Sequence, residues 1–230
     1  MVKRRVLGKG PQTTRIPDRT DGFRARRTGY HRRRDLRPPA PAPGPGSPAG
    51  RAAGDLLADE HRQLAALCAA LAEPGLPPRR RRDLADVLTA TATRHLCAEA
   101  QYLYPAVRST VPGGDALADR EIAATRDLLA ALRDGRERER RLRRHAYATA
   151  DLLDRLAGVA STEDLVRLGN RIETAEEAAP TRPHPGAPAR APLNKLTDPA
   201  IGLVDRLRDA VTGRPTRPEL LSRRYETRLF

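Results

Sequence analysis

From residue 55 onward, apolar positions recur at the three- and four-residue steps of an amphipathic helix, and the runs stop at proline or glycine. Leu57, His61, Leu64, Cys68 and Leu71 form one stripe, which predicts a helix over 55–72 closed by Pro74, Gly75, Pro77 and Pro78. Leu84, Leu88, Thr91, His95, Ala98, Glu99 and Tyr102 line one face of a second, over 79–104, expected to stop at Pro105. Past the turn at Pro112-Gly113-Gly114, with Asp115 as candidate cap, Leu117, Glu121, Ala124, Leu128 and Leu132 predict a third helix to 134, which Gly135 breaks. Leu142, His145, Thr149, Leu152 and Leu156 predict a fourth over 137–157. A shorter one follows over 161–178 through Leu165, Leu168 and Ile172. Near the end, Ile201, Val204, Leu207 and Val211 give an amphipathic helix over 199–212. Its polar face mixes Asp with Arg, which favours docking on the rest of the protein, or fraying, over binding a membrane surface.

Four main helices with short connections predict an all-α fold, an up-down four-helix bundle over 55–179 that includes the short following helix. Charge draws the same boundaries. Residues 1–54 carry a balance of +11, residues 55–180 one of −2, and residues 181–230 one of +5, within a net charge of +14. Residues 1–54 hold Arg24, Arg26, Arg27, Arg32, Arg33 and Arg34 and a proline-rich run from Pro38 to Pro48, with too few apolar positions to bury a core. They are expected to be a disordered basic leader, either an arm for acidic partners or a stretch ahead of the true start. Residues 180–230 are expected to be a flexible, proline-rich tail carrying the helix near 199–212.

A pI near 11.0 invites a nucleic-acid reading. Against it stand the near-neutral middle segment and the scarcity of rings for base stacking, with no Trp, two Phe and five Tyr. The arginine-rich runs 79–82 and 136–144 read as solvated helix faces, the second containing the i, i+4 pairs Glu137–Arg141 and Glu139–Arg143. No apolar run approaches the roughly 20 residues that cross a bilayer. Cys68 and Cys97 lie in no metal-ligand spacing and read as reduced, small hydrophobes. A cytoplasmic protein that is not an enzyme is expected, since no phosphate loop, nucleophile elbow or catalytic triad is present.

The chemistry lies in the histidines. His31 and His184 fall in the tails, while His61, His95 and His145 occupy inward positions on the first, second and fourth helices. Glu99, four residues after His95, and Glu121 lie on inward faces too. Buried carboxylates call for a partner or a metal, and mixed His/Glu ligation from facing helices is how bundle cores hold iron or manganese. The alternative is a set of hydrogen-bonded core histidines, with the two glutamates paired to arginines such as Arg94 or Arg126. Three histidines sharing the inward position bring the two readings level.

The segment His95-Leu-Cys-Ala-Glu99-Ala-Gln-Tyr-Leu103-Tyr-Pro105 resembles the H-x-x-x-E-x-x-x-L-[FY]-P segment on the second helix of hemerythrin-like HHE cation-binding proteins. Asp59-Glu-His61 resembles that family's first-helix histidine, and the stretches from Ala178 to Pro185 and from Asn194 to Arg206 resemble segments that follow the bundle in bacterial members. The resemblance implies a non-haem iron centre with a position open to dioxygen or a related oxidant. It implies His61, His95, Glu99 and His145 as ligands, with Glu121 the nearest candidate on the third helix. Two departures make the site incomplete. Ala123, Ala124 and Thr125 stand where many members place a histidine, and Thr149 and Ala150 follow His145 where the family has a carboxylate. Asp151 and Asp154 are at the wrong offsets to replace it. A di-iron site, a single-metal site and no metal all stay open. The functional expectation is an iron-binding protein that senses, carries or scavenges dioxygen or an oxidant. The alternative is a metal-free bundle acting as an interaction module through its basic arms.

Overall fold

The computed structural model describes residues 48–135, 137–187 and 193–225, and every regular element among them is helical. Residues 1–47 of the expected leader lie outside the described residues, as do 188–192 and 226–230 of the expected tail. The elements are α1 (Ala53–Ala72), α2 (Pro78–Ala98), a π-helical turn (Glu99–Leu103), α3 (Tyr104–Thr110), α4 (Gly114–Asp134), α5 (Arg138–Ala157), α6 (Thr162–Ala178), α7 (Leu193–Thr212) and α8 (Pro218–Tyr225).

The second helix does not stop at Pro105. Proline lacks an N–H and its ring clashes with the carbonyl four residues back, so an unbroken α-helix is unfavourable there. The chain instead widens into the π turn, where the Tyr104 N–H reaches back five residues to the Glu99 carbonyl, and resumes as α3 with Pro105 in its first turn. Such single π turns recur at functional sites, and this one begins at Glu99. Asp115 is not the cap of the third helix. That place falls to Gly113 in the left-handed region (φ 70°), and Asp115 sits in the first turn, accepting from Arg108 at 2.7 Å. At α6 the Ser161 hydroxyl oxygen caps the helix by accepting from the Asp164 N–H at 3.1 Å.

The four long helices pack in a cycle, α1 on α2, α2 on α4, α4 on α5 and α5 on α1. Helix α6 covers α1, α2 and the π turn, α7 lies on α6 and the π turn, and α8 rests on α2. Two apolar clusters fill the interior. One gathers Leu57, Leu103, Val107, Ile122, Leu152 and Ile172. The other gathers Leu64, Leu88, Leu96, Leu128, Leu132 and Leu142. Along α1, α4 and α5 the chain passes from one cluster to the other across a polar position: His61 between Leu57 and Leu64, Thr125 between Ile122 and Leu128, His145 and Thr149 between Leu142 and Leu152. The polar layer is therefore sealed above and below by leucine and isoleucine.

Candidate metal centre

In that layer, one ligand atom from each of His61, His95, Glu99 and His145 lies within 4.8 Å of all the others. His95 Nε2 is 3.0 Å from His61 Nε2 and 3.1 Å from His145 Nε2. Glu99 Oε2 is 3.1 Å from His145 Nε2, and Glu99 Oε1 is 3.4 Å from His95 Nε2. His95, Glu99 and His145 are buried and His61 is half-buried. Helix geometry accounts for the convergence: i, i+4 spacing stacks His95 over Glu99 on α2, and the 4-3 stripe turns His61 and His145 into the same layer from α1 and α5.

Each ligand is held from behind. Glu60 Oε2 accepts from His95 Nδ1 at 2.7 Å, and Glu176 Oε1 of α6 stands 3.8 Å from the same nitrogen. The Thr149 hydroxyl donates to Glu99 Oε1 at 3.1 Å. The Tyr104 hydroxyl donates to Glu99 Oε2 at 3.1 Å and takes the Thr125 hydroxyl as its other partner at 2.9 Å.

Proton affinities follow from these neighbours. Burial, then the adjacent His95, lowers His61 to about 3, so its ring is neutral with a lone pair available. Burial disfavours charge on His95 too, but Glu99, then Glu60 and Glu176, outweigh it and push His95 up to about 9. Burial would raise Glu99, yet His145 and His95 hold it well below the usual carboxylate range. Burial and the neighbouring Glu60 carboxylate raise Glu176.

The donor set fits one cation. Two nitrogens about 2.1 Å from one ion and at right angles lie about 3.0 Å apart, close to the separations of His95 from both other imidazoles. Three imidazoles and an ionised carboxylate suit iron, manganese or zinc. Glu121 is not part of this group. It is buried on α4, but its Oε1 accepts from the neighbouring Arg120 Nε at 2.9 Å rather than from Arg94 or Arg126. Asp151 and Asp154 are exposed, as their offsets predict. His184 pairs with Asp205 at 3.1 Å, and His31 lies outside the described residues.

Sequence reasoning gave no role to Glu60, Glu176, Thr125 or Thr149. Glu60 precedes His61 and lies off the apolar stripe, and its partner is 35 positions away, so no local pattern marks it. Glu176 sits on the short helix that follows the four main ones, and its stripe gave no sign of a role for it. Tyr104 carried a signal, through its place in the second-helix segment.

Among the described residues, openings reach the ligand histidines from both sides of α5. A cleft of about 420 Å³ runs between α4 and α5 to His145, walled by Ala123, Ala124 and Ala148 with Arg120, Arg141 and Arg144 at its sides. A smaller one of about 130 Å³, between α1 and α5, reaches His61 past Ala65 and Ala146. The alanines that displace an expected third-helix histidine thus leave open space beside the site.

Compared with known proteins, residues 53–166 match the family model described as the hemerythrin HHE cation binding domain. No curated protein and no solved structure gives a match. The matched stretch covers α1 to the start of α6, so Glu176, α7 and α8 lie beyond it.

Proposed function

The chain belongs to the hemerythrin HHE cation-binding family, and on that premise we propose that it binds one non-haem iron ion through His61, His95, His145 and Glu99 and senses, carries or scavenges dioxygen or a related small oxidant. On this reading it is a cytoplasmic binder rather than an enzyme, built on an up-down bundle of α1, α2, α4 and α5. Residues 55–179 are its working domain, and the basic leader 1–54 and the segment 180–230 are appendages. The observation that carries the reading is the convergence of four ligand atoms within 4.8 Å in a layer sealed by apolar clusters.

Iron held there supplies redox chemistry and a coordination position for a small oxidant. The chain's own residues do the rest. His61, neutral at physiological pH, offers a lone pair from α1. Glu60 accepts the Nδ1–H of His95 and leaves Nε2 turned to the layer, the arrangement by which carboxylates fix a ligating histidine. Glu99 stays ionised and balances positive charge, while Thr149 and Tyr104 hold both its oxygens in place. The cleft beside Ala123, Ala124 and Ala148 gives a small molecule a path to His145. A single ion is favoured over a pair because a neutral threonine faces Glu99 where a bridging carboxylate would be needed, and because Glu121 is turned to Arg120.

Metal content of the full chain, expressed with added iron and reconstituted without oxygen, tests this directly. About one iron per chain is expected, with the release of about one proton at pH 7, because His95 is protonated below about 9 and must give up that proton to ligate. Apparent affinity therefore falls about tenfold per pH unit as the pH drops below about 9. In the metal-free chain the raised value has the opposite sign. It stabilises the fold below the ordinary histidine value of 6.5, and that contribution is lost as the pH rises through about 9. Folded protein that takes up less than about a tenth of an iron per chain would end the reading.

A second reading has an observation of its own. Without an ion, His95 still contacts Glu60, His61 and His145, and Glu99 contacts Thr149 and Tyr104, so the layer holds a polar network of its own, with Glu176 Oε1 left without a hydrogen-bond partner. That is the state a metal-free interaction module would need, with the basic leader engaging acidic partners.

A further inference from the structure

Helix α7 is mounted with its polar side inward. Asn194, Asp198, Asp205 and Asp209 are all buried. Asp205 Oδ2 accepts from the backbone N–H groups of Thr181 and Arg182 at 3.2 and 3.0 Å and from His184 Nε2 at 3.1 Å. Asp209 takes the Thr181 hydroxyl, Arg182 at 2.5 Å and Arg214 at 3.2 Å, and Asp198 accepts from Gln101 of the π turn at 2.8 Å. Gly202 lies on the same face, where a Cβ would come 2.3 Å from the Ala178 carbonyl oxygen, so only glycine permits this approach. The orientation is thus set by anchored carboxylates and one glycine.

The opposite side of the helix is apolar and faces solvent. Leu203 is 55% exposed, Val204 64%, Leu207 62% and Val211 88%. Among the described residues seven large apolar side chains are exposed, and four of them share this one stripe, which marks a contact surface rather than scatter. The charges left outside on α7 are all cationic. Lys195, Arg206 and Arg208 are exposed, Lys195 lying over the Tyr102 ring and Arg206 donating to the Glu177 carbonyl, whereas Asp198, Asp205 and Asp209 are turned in and bonded. At 100° per residue, Arg208 borders the stripe on one side and Arg206 lies beyond its other side. The mixed polar face legible in the sequence is in fact sorted, acids inward and bases outward.

An apolar stripe flanked by arginine is the pattern of a helix that lies in the plane of an anionic bilayer surface. We propose that α7 is a docking surface for anionic phospholipid, with Leu203, Val204, Leu207 and Val211 entering the acyl boundary and Arg206 and Arg208 meeting the headgroups. Charge complementarity selects this occupant. A second copy of the chain would bring like-charged arginines together, and four side chains fall far short of the roughly 20–30 residues a side of a standard protein interface. The inference is independent of the metal site, which lies in another layer of the molecule.

Flotation of the full chain with phospholipid vesicles tests it. Binding is expected to phosphatidylcholine vesicles containing about 30% phosphatidylglycerol, and to be at least about tenfold weaker to phosphatidylcholine alone or at high salt. The double variant Leu207→Ser/Val211→Ser, on exposed positions, should weaken vesicle binding by about tenfold or more with helix content unchanged. Arg206→Gln/Arg208→Gln should weaken it on anionic vesicles only. These variants leave the basic leader intact. Binding that survives the serine pair would belong to the leader and overturn the proposal, and so would an absence of binding to anionic vesicles. Self-association seen by sedimentation and abolished by the serine pair would assign the stripe to a second copy and overturn it equally.

Discussion

Replacing His95 with alanine is expected to abolish metal uptake, leaving less than about a tenth of an ion per chain where the unaltered protein holds about one. His95 is the hub of the layer, since its Nε2 lies 3.0 and 3.1 Å from the other two imidazoles and its Nδ1 binds Glu60. Its removal also takes away the positive charge that Glu60 and Glu99 face in the metal-free chain. Stranding buried carboxylates in this way costs about 3–5 kcal/mol, so the variant should unfold at clearly lower denaturant. Glu60→Gln separates ligation from orientation. It leaves all four ligand atoms in place and weakens only the grip on Nδ1, so affinity should fall by about 10–100-fold without being lost. Equilibrium unfolding with elemental analysis reads both effects. If the histidine variant keeps its iron, the four-ligand assignment fails.

Thr149→Glu is expected to have the second-largest effect, and its sign depends on metal. The Thr149 hydroxyl now donates to Glu99 Oε1 at 3.1 Å in a fully buried setting. A carboxylate there sets two like charges within contact distance, and one of the pair must take up a proton or the fold must yield. The metal-free variant should lose about 3 kcal/mol or more at neutral pH and recover part of it in mild acid. An added cation offsets the repulsion, so the gap between metal-loaded and metal-free melting temperatures should widen beyond that of the unaltered chain. A variant as stable without metal as the original would show that position 149 does not face Glu99.

How much of the site was legible follows from the range of each interaction. The 4-3 periodicity marked His61, His95 and His145 as inward without any knowledge of the fold, because a helix face is set by residues within two turns. The His95–Glu99 pair was visible for the same reason. Thr149 was placed on the inward stripe and at the position of a missing carboxylate, but its bond to Glu99 was not legible because it spans 50 positions. Glu121 looked inward on its stripe and is buried, yet its carboxylate accepts from its neighbour Arg120 and lies outside the four-residue cluster. The stop expected at Pro105 was a sound local rule that a π turn evades by changing hydrogen-bond register.

The sequence by itself determined the all-α class, the rough span of each long helix and the three inward histidines with Glu99, all of which depend on side-chain spacing along a single helix. Only the tertiary structure decided what stands behind those ligands. Glu60 reaches His95 from α1, Glu176 approaches it from α6, and Tyr104 enters the layer once the π turn has rotated it. It also decided which way α7 faces. Amphipathicity alone turns Ile201, Val204, Leu207 and Val211 inward, but buried aspartates are stable where donors meet them, and the Thr181 and Arg182 N–H groups, His184 and Arg214 do so only after the chain has folded back.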